Sequence, residues 1–438
     1  MHFIRNLARR AFFLGAIALG VGALLMLPGW ALGAALLVAV VITSRLPSGR
    51  QMYEVACIAV TTIPQRLGSS AVVIIAIAGV VGVLVALLSM AVGLEQTLKQ
   101  TGSEDIAIVL ARGTTNEASS VLPNEVLSIV PELPQVARNA QNRPIVSAER
   151  LIVASLQKRS TGLEAGAAVR GVGEGIWELR PEIRIIAGRR FASGLREFIV
   201  GRGAQHEFEH LDLGAEVSIE GQPWRVVGVF DSGDAHNSEL WGDMEVVGSA
   251  YRRAGIVTSI KLRLSSAAAF ADFKNSLQVD PRLKVDTQTT RAYYGAQSGA
   301  LVAAIKIMGA LIAVIMAVGA TFGALNATHT AISSRAGEIA TLRAIGFRSR
   351  PVITSLLLET LLLSLAGGLL GAVIAWLLFD GFTTSTFGSA GQVVFAFSVS
   401  QELLFTGIRL ALAMGLVGGL VPALAAARSP IPSGLKAR

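Results

Sequence analysis

Charge is scarce in this sequence: Asp, Glu, Lys and Arg make up 16% of its 438 residues, against about 25% in ordinary soluble proteins. With 52% apolar residues and a mean hydropathy of +0.58, the chain is neither disordered nor an ordinary soluble enzyme. Cysteine occurs once, at Cys57, so every extended polar segment must be held by packing alone, without an internal disulfide. No G-x-x-x-x-G-K-[ST] motif occurs, because none of the seven lysines follows a glycine. A Walker A nucleotide site is thereby excluded, and any ATP-driven work needs a partner.

The net charge of +8 suggests nucleic acid until it is divided by region. From Glu95 to Gln297 there are 23 Lys/Arg and 25 Asp/Glu, whereas the remainder holds 15 and 5. The basicity therefore belongs to the apolar part of the chain, the reverse of a nucleic-acid-binding surface.

That apolar part contains runs long enough to cross a bilayer. Val72–Val92 has no charged residue and as a helix rises about 31 Å, close to the hydrocarbon thickness. Leu301–Leu325 is broken only by Lys306, Val352–Phe379 only by Glu359, and Leu403–Leu424 only by Arg409. Two shorter runs, Ala11–Leu27 and Ala31–Ile42, are parted by Pro28-Gly29-Trp30. They read as a hairpin of two short spans with Trp30 at the interface, or as a re-entrant pair. A cleaved signal peptide fits poorly, because a second apolar run follows at once. Arg5, Arg9 and Arg10 before the hairpin and Arg45, Arg50 and Arg66 after it place both flanks in the cytoplasm. The Val72 run then leads out and the Leu301 run returns to a loop carrying Arg335, Arg343, Arg348 and Arg350. The Val352 run leads out to a short loop without basic residues, and the last run returns to a tail with Arg428, Lys436 and Arg438. Both termini are expected inside.

The outer segment reads as mixed α and β. Alternation predicts strands at Asp105–Ala111 and Ser259–Leu264. A hairpin is expected over Glu216–Phe230, turning at Gly221-Gln222-Pro223. Pro123–Val130 reads as a short helix, and Ala267–Leu277 as another with Ser266 at its N-cap.

Several short motifs invite a chemical reading. His206-Glu207-Phe208-Glu209-His210 matches H-E-x-x-H, which on a helix sets two imidazoles one turn apart for zinc, with Glu207 beside the bound water. Three specified positions in five recur by chance and no clear third ligand follows, so a metal site at His206, Glu207 and His210 is considered and rejected. An amphipathic helix with Phe208 and Leu211 turned inward is the plainer reading. Gly171-Val172-Gly173-Glu174-Gly175 lacks the strand–helix setting of a phosphate loop and reads as a flexible turn. Gly319/Gly323, Gly367/Gly371 and Gly415/Gly419 are small-xxx-small pairs that permit close helix packing, within the chain or at a dimer interface. Lys306 and Arg409 lie near the outer ends of their runs, where snorkelling suffices. No ion pathway is expected.

The segment His329–Ile345 can form one amphipathic helix with Ile332, Ala336, Ile339 and Leu342 on its apolar face, ending at Gly346. Its core, Ser334-Arg335-Ala336-Gly337-Glu338-Ile339-Ala340-Thr341-Leu342-Arg343-Ala344-Ile345-Gly346-Phe347, closely resembles the signature R-x-x-E-I-[AG]-x-L-[RK]-A-[LI]-G of the MacB/FtsX-type ABC transporter permeases. An early Glu359 and Gly367-Gly368 in the next apolar run are also similar to that family. So is the ending Pro422-Ala423-Leu424-Ala425-Ala426-Ala427-Arg428 with Pro430. Ala187-Gly188-Arg189-Arg190-Phe191 through Val226-Val227-Gly228-Val229-Phe230 resembles the family's periplasmic domain. The resemblance covers roughly Tyr53 to Arg438, with several motifs in the expected order.

It implies an α-helical polytopic membrane protein with a four-span core, an N-terminal hairpin, and an α+β periplasmic domain inserted between the first two core spans. The expected divisions are 1–50 for the hairpin, 51–94 for a cytoplasmic elbow helix and first core span, 95–297 for the periplasmic domain, and 298–438 for three further spans. The coupling helix 329–346 lies in the last division. By resemblance, Arg335, Glu338, Ile339, Leu342, Arg343 and Gly346 form the surface that docks a separate ATPase, which alone binds ATP and Mg. ATP-driven closure would tilt the spans and move the periplasmic domains (mechanotransmission) in the bacterial inner membrane. Expected partners are that ATPase, a second permease copy or close paralogue, membrane lipid, and in some systems a periplasmic adaptor with an outer-membrane channel. Lipoprotein handling, as in the LolC/LolE branch, is another possible task. The hairpin and the lack of a fused ATPase depart from the MacB proteins themselves. Two other readings stand beside this one: an FtsX-like module that activates a periplasmic enzyme without transport, and a membrane-anchored zinc protease.

Overall fold

Four helices absorb the long apolar runs of the core: α1 (Leu67–Thr101), α7 (Thr290–Ser334), α8 (Ser349–Phe379) and α9 (Gln401–Arg428). Each is long and apolar enough to cross a membrane. The computed structural model describes residues 67–252, 255–334, 349–388 and 391–428. The apolar runs Ala11–Leu27 and Ala31–Ile42, and Cys57, lie outside the described residues.

The chain divides into two compact units. Of the described residues, the first holds 67–90, 305–334, 349–380 and 398–428, which carry the apolar helices. Its core is a file of small and β-branched residues from all four helices, among them Ile77, Val81, Ala324, Ala375 and Ala411. With no hydrophobic drive available between helices in lipid, such an assembly depends on close backbone approach and van der Waals contact.

The second unit comprises Ala91–Ala304 together with Gly381–Phe397. Its strands are β1 (Ile106–Ala111), β2 (Val146–Gln157), β3 (Glu164–Val172), β4 (Arg184–Gly188), β5 (Glu197–Gly201), β6 (Glu216–Ile219), β7 (Gln222–Asp231), β8 (Glu239–Asp243), β9 (Ser259–Arg263) and β10 (Val285–Thr289). They form one sheet in the order β10-β1-β9-β2-β3-β8-β5-β7-β4, with β6 also paired to β7. The β3–β8 and β5–β7 pairs are parallel and the others antiparallel. Short helices α2 (Asn124–Ile129), α3 (Ile176–Leu179), α4 (Arg202–Glu207), α5 (Met244–Ala250) and α6 (Phe270–Val279) lie between strands. One core gathers Phe198, Phe208, Val226, Leu240 and Trp224, the last stacked on Phe198 at 4.2 Å between centroids. A second gathers Val109, Val126, Leu262, Phe273 and Leu277 under β1, β9 and β10. With four apolar helices among the described residues and a mixed α+β unit, the coarse architecture matches the sequence expectation.

Details differ from expectation where local backbone geometry decides. The β6–β7 hairpin turns at Glu220-Gly221, with φ of 51° and 71°, and not at Gly221-Gln222-Pro223. A two-residue turn with both φ positive matches the strand twist, and Pro223 takes a strand position opposite Ser218. At Ser266, the side chain makes no capping bond; a 3-10 turn, Ala267–Ala269, precedes α6. Of the turn expected at Gly171–Gly175, only Glu174-Gly175 form one; Gly171 and Val172 are β3 residues paired with Arg150 and Glu149, and a Cβ at Gly171 would sit 2.9 Å from the Met244 Cα. His329–Ser334 continues α7 without a break.

The short segment between α8 and α9 folds as a hairpin, β11 (Thr383–Gly388) with β12 (Gly391–Ala396), in register from Thr383↔Ala396 to Gly388↔Gly391. In sequence this segment reads as a short loop; its Thr383, Thr384, Thr386, Val393 and Val394 are β-branched but do not alternate with polar residues, so no strand pattern announces it.

Candidate functional site

The central strands of the second unit carry a buried ionic network. Alternation puts Glu149 of β2, Arg170 of β3, Glu239 of β8, and Ser259 and Lys261 of β9 on one sheet face. Arg170 donates from Nε and Nη2 to the two oxygens of Glu239, at 2.7 Å each. Its Nη1 donates to Glu117 at 2.6 Å and Glu149 at 2.7 Å. Lys261 pairs with Glu149 at 2.9 Å and donates to the Tyr294 hydroxyl at 3.0 Å. Tyr294 and Ser259 donate in turn to Glu117, while the Tyr293 hydroxyl accepts from the Glu117 amide at 2.9 Å. Trp241 Nε1 completes the set by donating to Glu239 at 2.7 Å.

Burial alone would raise the Glu117 pKa, but the Arg170 and Lys261 charges hold its carboxyl far below the usual range. Glu239 is lowered against the same burial penalty, chiefly by Arg170. The Arg170 guanidinium, which burial disfavours, is kept charged by Glu117, Glu239 and Glu149. Burial and the Glu117 charge push the Tyr293 and Tyr294 phenols well above their ordinary value. These groups are therefore fixed partners and not proton carriers near neutral pH.

A second cluster adjoins it. Arg180 pairs with Asp234, His236 Nδ1 lies 3.2 Å from Asp234 Oδ1, and the His236 ring meets Trp241 and Tyr294 edge-on. The end of α1 is stitched to this loop: Thr101 Oγ1 accepts from the Ala235 amide at 3.0 Å. The start of α7 is stitched to the same region, with Thr290 Oγ1 accepting from the Ser103 amide at 2.8 Å. A cavity of about 70 Å³ beside the network is lined by Glu117, Arg170, Glu239, Ser238 and Tyr293. The arrangement anchors two helix ends to a sheet. Sequence reading missed it, because single charged residues in apolar strands carry no periodic signal.

The H-E-x-x-H segment does not present two imidazoles on one helical face. The α4 helix stops at Glu207, and His210 adopts φ 59°, which breaks the one-turn spacing. Phe208 and Leu211 are fully buried, as expected, but both lie beyond the end of α4, so the expected amphipathic helix over this segment is not formed. Glu207 is engaged elsewhere: Lys158 lies 2.5 Å from it and Ser385 donates to it at 2.5 Å. No group of three or more His, Cys, Asp or Glu side chains placed to hold a metal occurs among the described residues.

The glycine pairs of the apolar helices separate into two kinds. A Cβ at Gly371 would lie 2.4 Å from the Ala78 carbonyl, and one at Gly367 2.8 Å from the Ile74 carbonyl, so α8 rests directly on α1. A Cβ at Gly415 would lie 2.1 Å from Ser364 Oγ and one at Gly419 2.0 Å from Thr360 Oγ1, so α9 rests on α8. Gly319 and Gly323 of α7 have no described atom within 4 Å of that position, and Ile315, Val318 and Phe322 beside them are exposed. The α7 helix is the least covered of the four: 17% of its apolar stretch is buried, against 39% in each of the others. Glu359 is buried and lines a cavity of about 30 Å³ with Ser70, Thr328, Thr360 and Ser364. Arg335, Glu338, Ile339, Leu342, Arg343 and Gly346 lie outside the described residues.

Comparison with known proteins gives a consistent set of likenesses. Residues 70–279 match the family described as MacB-like periplasmic core domain, and residues 310–431 match that described as FtsX-like permease C-terminal. The chain is 26% identical over 290 residues to the macrolide export ATP-binding/permease protein MacB of Rhodopseudomonas palustris (strain HaA2), covering 60% of this chain and 42% of that protein. It is 22% identical over 378 residues to the uncharacterized ABC transporter permease YknZ of Bacillus subtilis (strain 168), covering 80% of this chain and 90% of that one. The chain thus matches less than half the length of the MacB relative but nearly all of the YknZ relative. Among solved structures, the periplasmic region of MacB from Actinobacillus actinomycetemcomitans aligns at 12% identity and TM-score 0.34, over 47% of this chain and 98% of that one. The extracellular domain of YknZ aligns at 16% identity and TM-score 0.32, over 42% and 100%.

Proposed function

Since the chain belongs to the MacB/FtsX-type family of ABC transporter permeases, we propose that it is the permease subunit of an ATP-driven exporter whose ATPase is a separate protein. The observation that carries this reading is the order of the two family matches along a chain whose described residues include four helices long and apolar enough to cross a membrane. ATP and Mg are bound by the partner, and this chain contributes no catalytic residue.

In this reading the basic loops face the cytoplasm and the mixed unit, inserted between the first two core spans, faces the periplasm of an inner membrane. The coupling helix 329–346 docks the ATPase through Arg335, Glu338, Ile339, Leu342, Arg343 and Gly346. The α1 helix has 35 residues and α7 has 45. At 1.5 Å per residue they measure about 52 and 68 Å, well beyond the roughly 30 Å of hydrocarbon. A tilt imposed on either span is therefore delivered, without an intervening loop, to an end sewn to the sheet at Thr101 or Thr290. A charge-locked joint at the helix ends suits transmission of motion better than a substrate path through the span core.

A second copy of the chain, or a close paralogue, packs on the α7 face carrying Gly319 and Gly323, where small residues permit close approach. Gly367, Gly371, Gly415 and Gly419 serve packing within the chain. A periplasmic adaptor and an outer-membrane channel are further expected partners. The test is co-purification: tagged full-length chain is expected to retain an ABC ATPase, and Glu338→Ala with Arg343→Ala to lose most of it. Wild-type recovery by the double variant contradicts the docking surface. Recovery of a cell-wall hydrolase with no transport partner would favour the regulatory alternative.

A further inference from the structure

We propose that the β11–β12 hairpin is a strap that carries displacement of α8 and α9 into the mixed unit, fastened there by Lys158, Glu207 and Ser385. This inference rests on the permease reading above. The hairpin is continuous with the last residues of α8 on one side and leads to α9 on the other, yet it folds as part of the mixed unit. It contains no charged residue from Gly381 to Ser400, so its attachment rests on neutral contacts and on the charges it meets.

Three contacts hold it. Lys158 Nζ donates to Ser385 Oγ at 3.0 Å, and Ser385 donates to Glu207 Oε1 at 2.5 Å, closing a triangle with the 2.5 Å Lys158–Glu207 pair. The Lys158 and Glu207 side chains are only 21% and 17% exposed, so solvent screens this triangle less than an open surface pair. On β12, the Val394 amide donates to Ser238 Oγ at 2.7 Å. At the hairpin end, Gly391 has φ 119°, and a Cβ there would sit 2.8 Å from the Gly166 carbonyl of β3. Backbone thus lies against backbone at a place where only glycine fits. Phe395 is buried and stacks near Phe397. A loop serving only to join two helices needs none of these fastenings. The arrangement also accounts for Glu207, the specified glutamate of the H-E-x-x-H segment, without a metal.

The experiment uses the full-length chain in a Cys57→Ser background, in nanodiscs with its co-purified ATPase. Spin labels at Lys274 of α6 and Leu370 of α8 report their separation with and without trapped MgATP. The wild-type pattern is expected to shift on trapping. Glu207→Gln with Ser385→Ala, and separately Gly391→Val, should cut that shift by at least half while ATP hydrolysis continues. Glu207→Cys with Ser385→Cys, bridged by a short bis-methanethiosulfonate reagent in a chain whose spin labels are carried by ketone-bearing residues at 274 and 370 in place of cysteine, should retain the full shift. A full shift in both unfastened variants overturns the strap and leaves the permease reading intact; so does its loss in the bridged form. No shift in the wild type overturns the permease reading and the strap with it. Should Gly391→Val fail to fold, the Glu207/Ser385 variant decides, its fold checked by thermal unfolding.

Discussion

Arg170 and Glu239 meet fork to fork, two parallel hydrogen bonds of 2.7 Å each, on neighbouring parallel strands in the buried centre of the mixed unit. Bidentate geometry of this kind fixes orientation as well as energy. Two further carboxylates, Glu117 and Glu149, reach the same guanidinium, so the one side chain ties β2, β3, β8 and a 3-10 turn together.

Removing one partner leaves a buried charge uncompensated. Arg170→Ala is expected to destabilise the protein by about 3–5 kcal/mol, with Glu239→Gln costing less because the amide still accepts one bond. Denaturant unfolding of the full chain in detergent, followed by tryptophan fluorescence, to which the buried Trp224 and Trp241 contribute, measures this.

The same network sets an acid limit. Glu117, Glu239 and Asp234 all have carboxyls held below their ordinary values, against burial, by neighbouring positive charges. A depressed folded pKa contributes stability that is fully present above the unfolded value, about 4. That stability is lost as pH falls toward the folded value. Thermal unfolding scans are therefore expected to show a nearly constant midpoint from pH 7 to 5 and a steep decline below pH 4.

Glu207 and its flanking histidines should separate cleanly. His206→Ala and His210→Ala are expected to leave stability unchanged, since both side chains are exposed. Glu207→Ala should cost about 1 kcal/mol by releasing Lys158 and Ser385. Metal analysis of the purified chain tests the competing protease reading, for which stoichiometric zinc lost in the histidine variants is required.

Glycine-to-valine changes should divide along the span contacts. Gly371→Val and Gly415→Val place a side chain into backbone or hydroxyl atoms already within 2.4 Å of the Cβ position. They are expected to cost at least about 1–3 kcal/mol. Gly319→Val and Gly323→Val should leave the single chain as stable as wild type but weaken self-association, measured by single-molecule photobleaching in bilayers.

The apolar helices were legible because their signal is additive over twenty residues: no local detail competes with a run such as Val72–Val92. Strand β1 and helix α2 were legible for a related reason, each having an unbroken pattern with a punctuating residue such as Pro123. Boundaries failed where one backbone angle decides. Glu220 with positive φ moved the hairpin turn off Pro223, and the end of α4 at Glu207 dissolved the H-E-x-x-H geometry. The ionic joint was invisible for a different reason. Glu117, Glu149, Arg170, Glu239 and Lys261 span more than 140 positions in the chain, and only the sheet order brings them together. The strap was illegible too: Thr383–Ala396 has no period-two pattern and read only as a short loop, and its attachment to Lys158 and Glu207 depends on the fold.

The most direct measurement is hydrogen–deuterium exchange of the full chain in nanodiscs with its co-purified ATPase, with and without trapped MgATP. Exchange is expected to slow across 329–346, the proposed docking segment, and to change at Leu94–Thr101 and Thr290–Leu301, the helix ends held in the mixed unit. Nucleotide-dependent exchange in the ATPase with none in this chain would contradict the claim that ATP binding elsewhere moves this protein.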